Sequence, residues 1–187
     1  MLLNTFIDYI KFDTRNSVEI VLNYILKLNH KKIELLVGRN RVVKDLIDFR
    51  EKYFKEIMLK EGLYKEEYVK IGDFSTESGY LMMKELLELK DRPTAIFCGN
   101  DSIAMGAYEA IRENKLKIPE DISIIGFNNL KLSKYYTLPL TTIKIDTKLM
   151  AQETVNSLVE LLEGRRDYHK KVFLPIELIE RESCQKI

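Results

Sequence analysis

The feature that most restricts what this chain can become is a four-fold alternation of short β-branched runs with longer amphipathic stretches. A brief apolar run bounded by glycine or proline reads as a strand buried on both faces. A following stretch with apolar side chains three and four apart reads as a helix laid against it, and repetition of the pair gives an α/β fold with a parallel sheet between helical layers. Val18, Val21, Leu22, Ile25 and Leu28 share one helical face, with Ser17 as the expected N-cap. IELLVG at 33–38 then reads as a buried strand ending in glycine. Residues 45–60 read as helix, 67–71 as strand, 76–89 as helix capped by Ser75, and 94–98 as strand. In the next helix, 101–113, Ile103, Ala104, Ala107, Ala110 and Ile111 form a small-residue face able to lie close to a sheet, and 122–127 is the strand after it.

Beyond residue 137 the texture changes. LPLTTIKID at 138–146 reads as extended, and 148–162 as an amphipathic helix between Thr147 and Gly164. The only other unassigned strand-like piece lies near 7–12, so these two extended segments are expected to pair with each other, too few to make a full sheet. The chain thus reads as one complete lobe plus part of a second. KVFLPIELIE at 171–180 gives two short strands parted by Pro175.

Composition narrows the function. With 30 basic and 29 acidic side chains the chain lacks the clustered Lys and Arg that holding DNA phosphates requires. Cys98 and Cys184 form no C-x-x-C pair and read as free thiols. The opening MLLNTFIDY lacks a basic n-region and a cleavage site, and no apolar run approaches the roughly 20 residues needed to span a bilayer, so the cytoplasm is the expected location and no membrane partner is expected. No G-x-S-x-G, P-loop, H-E-x-x-H or G-x-G-x-x-G occurs, so no enzyme, metal or cofactor is expected. His30, between a helix and a strand, reads as a helix-terminal cation rather than a base, and His169 lies in a charged turn.

In an open parallel sheet, ligands bind beyond the carboxyl ends of the strands. Lys44 and Arg50 follow the first strand of the repeat, Asp73 and Phe74 the second, Asn100 and Asp101 the third, Asn128 and Asn129 the fourth. A cation, an aromatic plate and planar amides suit a small hydroxyl-rich ligand. Each also has an ordinary role: core packing for Phe74, a helix N-cap for Asp101, a turn for Asn128-Asn129, a solvated helix face for Arg50. Their joint occurrence at corresponding strand ends favours the binding site.

These segments resemble the lactose-repressor/galactose-repressor (LacI/GalR) family of transcription regulators along nearly the whole chain. The likeness is carried by RPTAIFCGNDSIAMGAYEAIRENKLKIPEDISIIGFNN at 92–129, LPLTTIKID at 138–146, LPIELIERES at 174–183, IGDFSTESGY at 71–80 and LNHKKIELLVG at 28–38. It implies a periplasmic-binding-protein-like effector domain of two lobes, 17–137 with 168–187 forming the C-terminal lobe and 1–16 with 138–167 remnants of the N-terminal one. The family's helix-turn-helix DNA-binding domain has no counterpart in the sequence, so operator DNA would be reached only through that missing part.

The resemblance further implies that Arg50, Phe74 and Asn100 contact an effector, joined by Asn128 where the family usually has aspartate. An amide has one acceptor and a donor where a carboxylate has two charged acceptors, which alters ligand choice. Tyr53 stands where a small residue is usual. A homodimer face is implied around Met105, Glu109 and Tyr136, the last with Tyr135 an aromatic pair suited to an interface. The expected function is that of a sugar-responsive regulator, a repressor with a galactose-type ligand. The rival is a solute receptor of the same fold serving transport.

Overall fold

A computed structural model describes residues 8–39 and 48–187 of the 187-residue chain. It divides into two units, residues 14–144 with 178–187, and residues 8–13 with 145–177.

Strands β2 (Ile33–Gly38), β3 (Val69–Gly72), β4 (Ala95–Cys98), β5 (Ser123–Asn128), β6 (Thr141–Ile145) and β8 (Ile176–Ile179) form one sheet in the order β3-β2-β4-β5-β6-β8, which belongs to the larger unit except for Ile145 and residues 176–177 at the ends of β6 and β8. The pairs β2–β3, β2–β4, β4–β5 and β5–β6 are all parallel. Every residue of β2 and β4 is buried, as expected for strands covered on both faces. Leu36, Ile96, Cys98 and Ile124 pack with α3 (Thr76–Leu87) and α4 (Asp101–Glu113) in one core. Alternate residues such as Leu35, Phe97 and Phe127 point to the other face, where α2 (Phe49–Lys60) touches β2 and packs on α1 (Thr14–Lys27). Helices α3 and α4 cross at Gly79 and Gly106. A Cβ at Gly106 would strike the backbone of Thr76 and Tyr80, so glycine sets how closely these helices approach.

Several local expectations are corrected. Helix α1 begins at Thr14, and Ser17 is inside it, its hydroxyl donating to the Thr14 carbonyl at 2.7 Å rather than capping. A short 3-10 turn, Glu66–Tyr68, replaces the start of the strand expected at 67. Helix α2 starts at Phe49, capped by Asp48, and residues 45–47 of the expected helix lie outside the described residues.

The smaller unit pairs β1 (Tyr9–Phe12) in parallel with β7 (Lys171–Leu174), and α5 (Thr147–Leu162) packs on both. The two extended segments expected to pair with each other therefore do not, because β6 joins the large sheet beside β5 while β1 takes β7. The unit boundaries shift with these pairings. Residues 138–144 stay with the larger unit and 168–177 with the smaller, the reverse of the division read from sequence. The Asp8 carboxylate organises the smaller unit. It accepts from the Ser157 hydroxyl, the Arg166 guanidinium and the Lys170 backbone N–H, which hold its carboxyl well below the usual range.

Candidate functional site at the strand ends

The carboxyl ends of β2, β3, β4 and β5 lie side by side in the sheet and deliver the candidate residues to one edge of it. Arg50, in the first turn of α2, is only 15% exposed in its side chain. Its Nε and Nη2 donate to the two carboxylate oxygens of Asp48 at 2.9 and 2.6 Å, and its Nη1 donates to the Gly99 carbonyl. Asp48 also accepts from the Arg50 backbone N–H at 2.8 Å, so one carboxylate both caps α2 and fixes the guanidinium. The guanidinium carbon sits 5.3 Å from the Phe74 ring centre and 5.1 Å from that of Phe127, within cation–π range of both.

Phe74 is half-buried and rests where a side chain on Gly38 would be, since a Cβ there would come within 2.6 Å of its ring. Its carbonyl accepts from the Asn100 side-chain amide at 2.9 Å, while the Asn100 amide oxygen accepts from the Ile103 N–H at 2.7 Å and caps α4. Asn100 thus ties the β3 end to the β4 end, with both halves of its amide engaged. Asn128 ends β5 with φ 99°, is exposed, and its amide has no partner among the described residues. The structure therefore brings together Arg50, Phe74 and Asn100 and adds Asn128 through its neighbour Phe127. Lys44 lies outside the described residues.

Asp101 is not the cap of α4, a role Asn100 holds. Its side chain is wholly buried and turns across to the β5–β6 loop, accepting from the Leu130 N–H and from the Thr142 hydroxyl, each at 2.6 Å. Burial raises its pKa against the pull of these bonds. Room for it is left by Gly126, where a Cβ would meet the carboxylate. Arg181 completes the arrangement, donating to the Asn129 amide oxygen at 2.6 Å and to Ser133 Oγ at 3.2 Å. Together they fasten the turn at Asn128 and Asn129, whose positive φ values of 99° and 52° are more readily adopted by asparagine than by most residues.

His30 is also corrected. It is buried, with Nδ1 2.9 Å from Thr94 Oγ1 and Nε2 3.0 Å from the Gln185 carbonyl. Burial lowers its pKa and favours the neutral ring, so it joins the C-terminal segment to the sheet instead of carrying charge at a helix end. Cys98 is buried and Cys184 is pushed up to about 12 by burial, so both are poor nucleophiles. Among the described residues no group of three His, Cys, Asp or Glu is placed to hold a metal. None of their helices is long and apolar enough to cross a membrane.

A second feature lies away from the strand ends. Met105, Glu109 and Tyr136 line one open groove of about 490 Å³ with Tyr108, Tyr135 and Leu138. Tyr136 meets Tyr108 edge-on at 5.3 Å and donates to the Asp101 carbonyl at 2.8 Å, so it packs inward as well as lining the groove.

The chain is an α/β protein with a parallel sheet between helical layers, and its arginine–aromatic cluster lies at the carboxyl edge, where open sheets of this kind bind ligands. The periplasmic binding protein-like domain model matches residues 22–184. The chain belongs to this family, as a LacI/GalR-type effector-binding domain. The HTH-type transcriptional repressor PurR of Erwinia tasmaniensis is 34% identical over 161 residues, covering 86% of this chain and 47% of the relative. The chain spans about half the length of the curated relatives it matches. The lac repressor dimer bound to operator and the anti-inducer ONPF superposes with a TM-score of 0.85 at 28% identity, covering 97% of this chain and 62% of the other. A LacI family regulator from Enterococcus faecium with bound ribose gives 0.84 at 26% identity, covering 98% and 68%.

Proposed function

We propose that this chain is the effector-binding portion of a ligand-responsive transcription regulator, most simply a repressor, and a binding module rather than an enzyme. The observation that carries this reading is the clamp at the strand ends. Arg50 is fixed by Asp48 and Gly99 between two aromatic rings, and the Phe74 plate and the open Asn128 amide stand beside it. Such a surface offers stacking and hydrogen bonds rather than a reactive group, which suits a sugar. The ribose-bound neighbour supports that class, and a galactose-type ligand is the specific proposal.

Purified chain titrated calorimetrically with galactose and ribose is expected to bind, and Phe74→Ala to weaken binding about tenfold or more, the size of a lost stacking and packing contact of roughly 1.5 kcal/mol. Equal affinity in the variant would remove Phe74 from the site. Operator binding would come through residues outside this chain, and a cytoplasmic location follows from that role. The groove around Met105, Glu109 and Tyr136 is proposed as the homodimer face, its aromatic lining being typical of interface cores. Sedimentation velocity tests this directly, since a chain that stays monomeric at all concentrations has no such dimer.

A further inference from the structure

Among the described residues Glu34 is a buried carboxylate that takes no part in the strand-end cluster. It lies in β2, wholly buried, and neither carboxylate oxygen has a hydrogen-bond partner among the described residues. It shares the sheet face of Leu36, which packs in the core under α3 and α4. The strand beside it is β3, the edge of the sheet. An ionised carboxylate cannot remain in such a place without a cation or donors, because the loss of hydration is uncompensated.

The charged groups around it are already committed. Lys70 on β3 is paired with Glu85 of α3 at 2.9 Å. Lys65 is held by Asp91 at 2.6 Å and lies over the Tyr68 ring. Asp91 also takes Lys32 and the Tyr68 hydroxyl. Glu67 adds a like charge that opposes ionisation, while Lys70 and Lys65 favour it from a distance. Strand β4, on the other side of β2, contributes only Ala95–Cys98.

We propose that the folded unit holds Glu34 as the neutral acid, and that its ionisation loosens the β2–β3 edge of the sheet, making the stability of the larger unit proton-linked. Burial, the largest influence, pushes the carboxyl up to about 8, from 4.5. The sign follows from proton uptake. Between 4.5 and about 8 the folded state keeps a proton that the unfolded chain releases, so stability is greatest at the acid end, falls as pH rises through the window, and levels off above it. Within the window each pH unit raises the unfolding constant by up to about tenfold from this group alone.

The test is urea unfolding of the full chain from pH 5 to 9, wild type against Glu34→Gln, which keeps the shape of the neutral acid. The wild-type midpoint is expected to fall across this range more steeply than that of the variant, and the variant to be the more stable above pH 8. Superimposable pH profiles would overturn the proposal. Lys70→Met leaves the carboxyl in place and removes the cation that most favours its ionisation. The fall in stability still begins near 4.5 but is then expected to continue to higher pH before it levels off, and an unmoved profile would overturn the coupling to β3. Infrared difference spectra supply a readout that a merely structural role would not move. A protonated-carboxyl stretch present at pH 6, lost at pH 9 and reduced in Glu34→Gln by the amplitude of one carboxyl supports the assignment, and an unreduced band in the variant contradicts it.

Discussion

The two units are held together by different physics. In the larger, strands β2 and β4 are buried along their whole length and α1 sets Val18, Val21, Leu22 and Ile25 at zero exposure. In the smaller, the 16-residue helix α5 buries only Ser157, and Val155, Leu158 and Leu162 stay exposed at 59%, 55% and 78%. Order there is organised by hydrogen bonds and ion pairs converging on Asp8, from Ser157, Arg166 and Lys170. Apolar burial contributes in proportion to area, and α5 adds almost none, while the shielded Asp8–Arg166 pair must first offset the cost of desolvating its two charges. The larger unit is therefore expected to be the stable platform, and the smaller to open first.

The largest effect should come from the core of the platform. Phe97→Ala removes a fully buried ring that meets Phe127 at 6.4 Å, and is expected to cost about 3–5 kcal/mol in urea unfolding. A loss below about 1 kcal/mol would mean the core repacks, a milder outcome than large buried truncations usually give. An intermediate effect is expected at Asp8. Its depressed pKa means that its contribution is present above the ordinary 3.8 and is lost as pH falls through its folded value. Asp8→Asn should therefore speed amide exchange in β1 and β7 at neutral pH while leaving β2 and β4 unchanged, and equal changes in both would erase the distinction between units. The smallest effect belongs to Leu158→Ala, within about 0.5 kcal/mol because the side chain already faces solvent.

Periodicity made the strands and helices of the larger unit legible, since each is a local pattern. It failed where the partner is remote. The β1–β7 pairing joins Tyr9 to Lys171, and the Thr142–Asp101 bond spans 41 positions, so neither has a local signature. Asp101 beside Asn100 read as a cap because either residue type can cap, and only the packing of Asp101 over Gly126 decides between them. Arg50, Phe74 and Asn100 are legible as candidates from their place after strands. Asp48, which orients Arg50, was missed, although an aspartate ahead of a helical run is a signal for a cap. Glu34 was hidden inside an apolar run whose pattern named the strand and passed over its one acid.

The most direct measurement is native-state hydrogen exchange of the whole chain with and without saturating sugar. Binding at the strand ends is expected to slow exchange at residues 39, 72–74, 99–100 and 128–130, with little change along α5. Protection confined to α5 and β7, or none at saturating ligand, would contradict a binding site on the platform.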